Sequence, residues 1–111
     1  MGKQYCSMEN INNDKLVKYQ VTVLFYMDET FMQLVPSHRT YINSLIEKGI
    51  LEYYAVSMET LRCWMIINAT DKKQVKQFLR KSSLYKYWTV EIDELFVYDS
   101  YSYRLPALQL N

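Results

Sequence analysis

Two rhythms of apolar and polar residues run along this chain, a period of two in some stretches and steps of three and four in others, and their succession predicts six elements. Residues 19–27, YQVTVLFYM, are β-branched and aromatic and predict a buried strand ended by the Asp28-Glu29 turn. Val35, His38, Ile42, Leu45 and Ile46 then step along one helical stripe, leaving Arg39, Asn43, Glu47 and Lys48 mostly on the other side. Gly49 supplies the left-handed conformation that closes a helix, so this one is expected to stop at Lys48. At its start Thr30 and Gln33 have capping-box spacing, whereas Pro36 suits a first turn. The pattern therefore predicts a short turn over 30–34 and the main helix from about Pro36.

Residues 51–58 (LEYYAVSM) and 61–69 (LRCWMIINA) read as strands joined by Glu59-Thr60, a linker short enough to make them an antiparallel hairpin. Thr70-Asp71 opens a second helix, which runs through Val75, Phe78 and Leu79 with Lys72, Lys73, Lys76, Arg80 and Lys81 outside, and Ser82-Ser83 ends it. Residues 87–98 (YWTVEIDELFVY) form a long last strand. The order βαββαβ is the ferredoxin-like α+β arrangement, an antiparallel four-stranded sheet with two helices on one face. On this reading 1–17 is a flexible polar leader, 18–100 the domain, and 101–111 an extended tail around Pro106.

Strict alternation assigns Val21, Val23, Phe25, Leu51, Tyr53, Ala55, Cys63, Met65, Ile67, Val90 and Ile92 to the helix-covered face. The other face then carries Leu24, Tyr26, Tyr54, Val56, Met58, Trp64 and Ile66 among polar residues. Each is worth about 1.5–3 kcal/mol when buried, roughly 10–20 kcal/mol together, which rivals the net stability of a small domain. A second sheet is expected to cover them, most simply from an identical subunit, giving a homodimer.

Composition narrows the function. With 111 residues the chain is one domain, and its eleven tyrosines suit half-wet surfaces such as pockets and subunit contacts. A net charge of +1 with interspersed lysines and acids leaves no basic stripe for a phosphate backbone, so nucleic acid is not an expected partner. No apolar run reaches membrane-spanning length, so no membrane association is expected. Cys6 and Cys63 make no disulfide framework and no signal segment is evident, which implies a cytoplasmic protein. The Met1-Gly2 start lacks the serine or threonine that myristoylation needs at position six, and Asn68-Ala69-Thr70 is a sequon of little meaning without secretion.

A strand followed by P-x-H-x-x-Y-x-x-x-L-x-x-x-G-x-L (Pro36, His38, Tyr41, Leu45, Gly49, Leu51), then a tryptophan strand and a closing LYKYWTVEIDEL, resembles the muconolactone isomerase-like and YCII-related families of the dimeric α+β barrel superfamily. The likeness spans about residues 18–100. Its YCII-like part runs from His38 to Gly49, where that family proposes a histidine–acid dyad; the acid position here is Glu47. Its isomerase-like part is the last segment, with Tyr87, Glu91, Ile92, Asp93 and Leu95, after which Tyr98-Asp99-Ser100 replace a histidine and a proline. The resemblance implies a homodimeric barrel and cofactor-independent, isomerase-like chemistry.

Several residues are candidates for chemistry. His38 has the ordinary pKa of a proton carrier, or is a core histidine satisfied by a carbonyl or a tyrosine hydroxyl. Glu47 lies nine residues on, about 900° around the helix, and so opposite His38. Glu91 is a second candidate base and Arg62 a carboxylate anchor, or the pair is an ion bridge at a dimer seam, with Glu52 as an alternative acid. Trp64, Tyr54 and Tyr26 wall a substrate pocket or fill the interior as packing, and Cys63 reads as inert core. No metal-ligand spacing, phosphate-binding glycine loop or nucleophile elbow is present. The expected function is binding of a lactone or aromatic acid with proton transfer beside a carbonyl, needing no cofactor. A non-catalytic binding or assembly domain is the competing class, and a cofactor-free oxygenase using Trp64 and Trp88 is a third.

Overall fold

The computed structural model describes residues 16–100. In chain order they form β1 (Val17–Phe25), α1 (Phe31–Glu47), β2 (Leu51–Ser57), β3 (Arg62–Ala69), α2 (Lys72–Arg80), a 3-10 turn (Tyr85–Tyr87) and β4 (Trp88–Glu94). The four strands make one antiparallel sheet in the order β2-β3-β1-β4, an α+β ferredoxin-like fold. Ile42 and Leu45 of α1 and Val75 and Leu79 of α2 share one core with Val21, Val23, Met65 and Ile67, so both helices cover the same face. Most of the leader expected at 1–17, including Met1-Gly2 and Cys6, and the tail expected at 101–111 lie outside the described residues; Val17 itself pairs with Ala69 in β1.

Helix α1 starts earlier than its sequence suggests. It is continuous from Phe31, with Pro36 inside it and no separate turn over 30–34. The expected capping box is absent because the Thr30 hydroxyl is engaged by Asp28 and Tyr87, at 2.9 and 2.6 Å, while Asp28 accepts the Thr30 N–H. Tyr87 also donates to Asp28, which holds that carboxyl below its ordinary range. An early start buries Phe31, stacked on Phe25 at 5.6 Å and edge-on to Tyr87 at 5.0 Å. The end of α1 follows expectation. Gly49 has φ +77, its N–H bonds the Ile46 carbonyl, and the Ile50 N–H reaches back to the Leu45 carbonyl, a double-bonded left-handed cap.

Three departures in the sheet matter for function. The hairpin loop is longer than Glu59-Thr60: it takes in 58–61, with Leu61 at φ 56 and its carbonyl accepting the Phe25 N–H. Strand β4 ends at Glu94 rather than near Tyr98, because β1 begins at Val17 and the last rung is the Leu95 N–H to the Lys18 carbonyl. The chain then leaves the ladder, and residues 98–100 lie beside Gln20, Tyr53, Trp64 and Ile66 on the open face.

The third departure is a register shift in β2 between Leu51 and Tyr53. Leu51 opposes Ile67, but Tyr53 opposes Ile66 and Tyr54 opposes Met65, so one extra residue is accommodated and the alternation inverts. Tyr54, Val56 and Met58, expected on the open face, lie on the helix side; Tyr53 and Ala55 take their place outside. Ile66 is 5% exposed despite facing away from the helices. The apolar load on the open face therefore falls to Leu24, Tyr53 and Trp64, worth roughly 4–9 kcal/mol rather than twice that.

Candidate functional site

His38 points inward from α1, one turn before Ile42, and is 2% exposed. Its Nδ1 lies 2.7 Å from the Ser82 hydroxyl and its Nε2 lies 2.7 Å from the Tyr54 hydroxyl. Three separate elements meet here: α1 supplies the imidazole, the bulged β2 supplies Tyr54, and the turn after α2 supplies Ser82. That turn is fixed by the Ser82 N–H bonding the Leu79 carbonyl, and the Ser82 Oγ accepts the Leu84 N–H at 3.1 Å. Trp88, at the start of β4, stands edge-on to the imidazole at 5.7 Å.

Burial, aided by the nearby Arg39 cation, lowers the His38 pKa to about 4, so the ring is neutral at physiological pH. Burial likewise pushes the Tyr54 hydroxyl far above its ordinary value and the Cys63 thiol up to about 12. None of these groups is poised to ionise. What they offer is a set of neutral hydrogen-bonding dipoles in an apolar setting.

Beside this dyad is a cavity of about 320 Å³ between α1 and the sheet. Buried Phe25, Phe31, Cys63 and Leu84 form its interior with His38 and Tyr54; exposed Met32, Arg39, Val56 and Met58 surround its mouth. The Arg39 guanidinium lies over the Tyr54 ring, 5.5 Å from its centre. Apolar walls with a few convergent polar groups are the usual make-up of a small-molecule site.

Of the sequence-derived candidates, Tyr54 and Trp88 come together with His38, whereas Glu91, Arg62, Trp64 and Tyr26 do not. Glu91 opposes Thr22 on the open face, exposed in a shallow groove with Leu24 and Thr89, so the sheet separates it from His38. Arg62 is also on that face, opposite Leu24 and Ser57. Neither expected bridge forms: Glu52 pairs instead with Lys18 and also accepts from Asn68. Trp64 is half-buried on the open face beside Tyr53, and Tyr26 is exposed past the end of β1, edge-on to Tyr87 at 5.1 Å. Glu47 is exposed at the end of α1 and makes no dyad with buried His38.

Arg39, Ser82 and Trp88 belong to the site although the sequence reading gave them no part in its polar chemistry. For Arg39 a signal existed: it follows Val35 by four residues, and both line the cavity. Ser82 has no comparable signal, since a serine after a helix reads as a stop. Among the described residues no cluster of three or more His, Cys, Asp or Glu could hold a metal ion, and no helix is long and apolar enough to cross a membrane. No protein-family model matches the chain and no curated protein is significantly similar to it.

Proposed function

We propose that this chain is a small-molecule-binding protein of the dimeric α+β barrel type, which takes a lactone or aromatic acid into the cavity between α1 and the sheet. The observation that carries this reading is the Tyr54–His38 pair in the wall of a largely apolar cavity. A hydroxyl held by a buried imidazole is an orienting group for a ligand oxygen, and the surrounding rings supply the contact area. The resemblance to muconolactone isomerase-like and YCII-related proteins agrees, since the histidine of the P-x-H motif is the one at the cavity.

Binding without turnover is favoured over isomerisation. Proton abstraction beside a carbonyl needs a free base, yet both nitrogens of His38 are engaged and its basicity is depressed. Glu91, the other candidate base, is across the sheet. The oxygenase alternative is disfavoured because Trp88 lines the cavity and Trp64 is on the opposite face. Homodimerisation would cover Leu24 and Tyr53, 48% and 50% exposed, together with Trp64. A free, buried Cys63 suits a reducing compartment such as the cytoplasm.

Thermal unfolding in the presence of lactones and of neutral and acidic aromatic compounds tests the reading. At least one such compound should raise the melting temperature of the wild type and of Glu91→Gln, and raise that of Tyr54→Phe less. A flat response from the whole panel would remove the proposal.

A further inference from the structure

We propose that the cavity selects ring-bearing carboxylates over their uncharged analogues, with the acid held between the Tyr54 hydroxyl and the Arg39 guanidinium; this rests on the small-molecule reading above. Three independent features lead to it. The first is the direction of the hydrogen bonds. Ser82 Oγ accepts the Leu84 N–H, so its own proton is best placed on His38 Nδ1, which then has no hydrogen of its own. The imidazole proton must sit on Nε2 and is donated to the Tyr54 oxygen. The opposite tautomer would aim two donors at Ser82 and leave the proton of a buried hydroxyl without an acceptor.

Every bond in the chain thus points the same way, from Leu84 through Ser82 and His38 to Tyr54. The Tyr54 proton is the free end. Its neighbours in the protein are the Arg39 guanidinium, which can only donate, and the Cys63 sulfur, a weak acceptor that a ligand oxygen can displace. The site therefore asks for an acceptor and not a donor.

The second feature is charge. Arg39 is at the mouth, and among the described residues it has no carboxylate partner. No Asp or Glu occurs among the described residues that line the cavity, so its one formal charge is positive. A carboxylate meets both demands, accepting from the hydroxyl and pairing with the guanidinium. The third feature is size. An apolar cavity of about 150 Å³ accommodates benzene, and 320 Å³ suits one or two rings.

Isothermal titration at neutral pH with benzoate and naphthoate, against benzyl alcohol and naphthylmethanol, decides the matter. The acid should bind about tenfold to a hundredfold more tightly than the matching alcohol, the range of a charge-assisted hydrogen bond. Arg39→Gln, a change at an exposed position, should bring the acid close to the alcohol, while Arg39→Lys keeps part of the difference. Nitrogen-15 NMR of His38 should show the Nε2–H tautomer. Equal affinity for acid and alcohol, or an unaltered preference in Arg39→Gln, overturns this inference while leaving a binding cavity in place. No binding by any of the four compounds, coupled with a flat thermal-unfolding panel, overturns both.

Discussion

The Nε2 of His38 and the hydroxyl of Tyr54 are 2.7 Å apart because β2 carries one extra residue between Leu51 and Tyr53. Without that bulge Tyr54 and Val56 would both project from the other side of the sheet, and Tyr53 would take the place opposite Met65. A buried nitrogen without a partner costs about 1–3 kcal/mol, so the tyrosine that the bulge turns inward stabilises the imidazole it meets. The site and the stability of the domain are thus linked through one irregularity.

His38→Ala deletes two hydrogen bonds and leaves a void against Trp88. Its unfolding free energy should fall by about 2–4 kcal/mol. Urea denaturation followed by tryptophan fluorescence measures the loss.

The same histidine predicts how stability depends on pH. Its ring titrates at 6.5 in the unfolded chain and at about 4 in the native state. Between those values the unfolded chain binds the extra proton, so stability rises with pH; the contribution is complete above 6.5 and is lost as pH falls towards 4. Asp28 and Glu52 are also lowered in the native state, Asp28 chiefly by the Tyr87 hydroxyl. In Glu52 burial acts upward but is outweighed by hydrogen bonds from Lys18 and Asn68. Their losses begin only below 3.8 and 4.5, so the slope from 4.5 to 6.5 belongs to His38. Wild type should lose on the order of 2 kcal/mol across the window, and His38→Gln should be nearly flat there. Chemical denaturation at several pH values gives both slopes.

Gly49→Ala should cost about 1 kcal/mol, from backbone conformation alone. A methyl group there would touch nothing within 4 Å, so packing does not contribute. Gly49→Asn should lose less, because asparagine tolerates the left-handed region. Melting temperatures of the two variants rank the effect, and ligand affinity should be unchanged in both.

Tyr53 is 50% exposed on the open face, where a second sheet is proposed to pack. Tyr53→Lys should lower the mass seen by sedimentation from dimer to monomer, with little change in the circular dichroism of the helices. A wild type that sediments as a monomer at all concentrations would end the dimer proposal.

Much of the fold was legible because its signals are local. The β-branched run of β1, the glycine after Lys48, and Asp71 accepting the Gln74 N–H at 2.8 Å at the start of α2 each act within a few residues. The sequence also placed His38 on the inner stripe of α1, and it is buried there. The beginning of α1 was harder to read, because a proline inside the helix and a threonine whose hydroxyl turns to Tyr87 both imitate a boundary.

The site was not legible in the same way. In β2, Tyr53 and Ala55 alternate with Tyr54 and Val56, so either set satisfies a period of two, and neither glycine nor proline marks the extra residue. Which tyrosine faces the helices is decided by pairing with β3, a contact between segments distant along the chain. Sequence alone determined the elements, their order and the inward histidine, since these follow from local backbone preference and periodicity. Tertiary structure alone decided that Tyr54 and Ser82 are its partners and that Glu91 is not, because a one-residue slip in strand register exchanges the faces of a sheet without altering its composition.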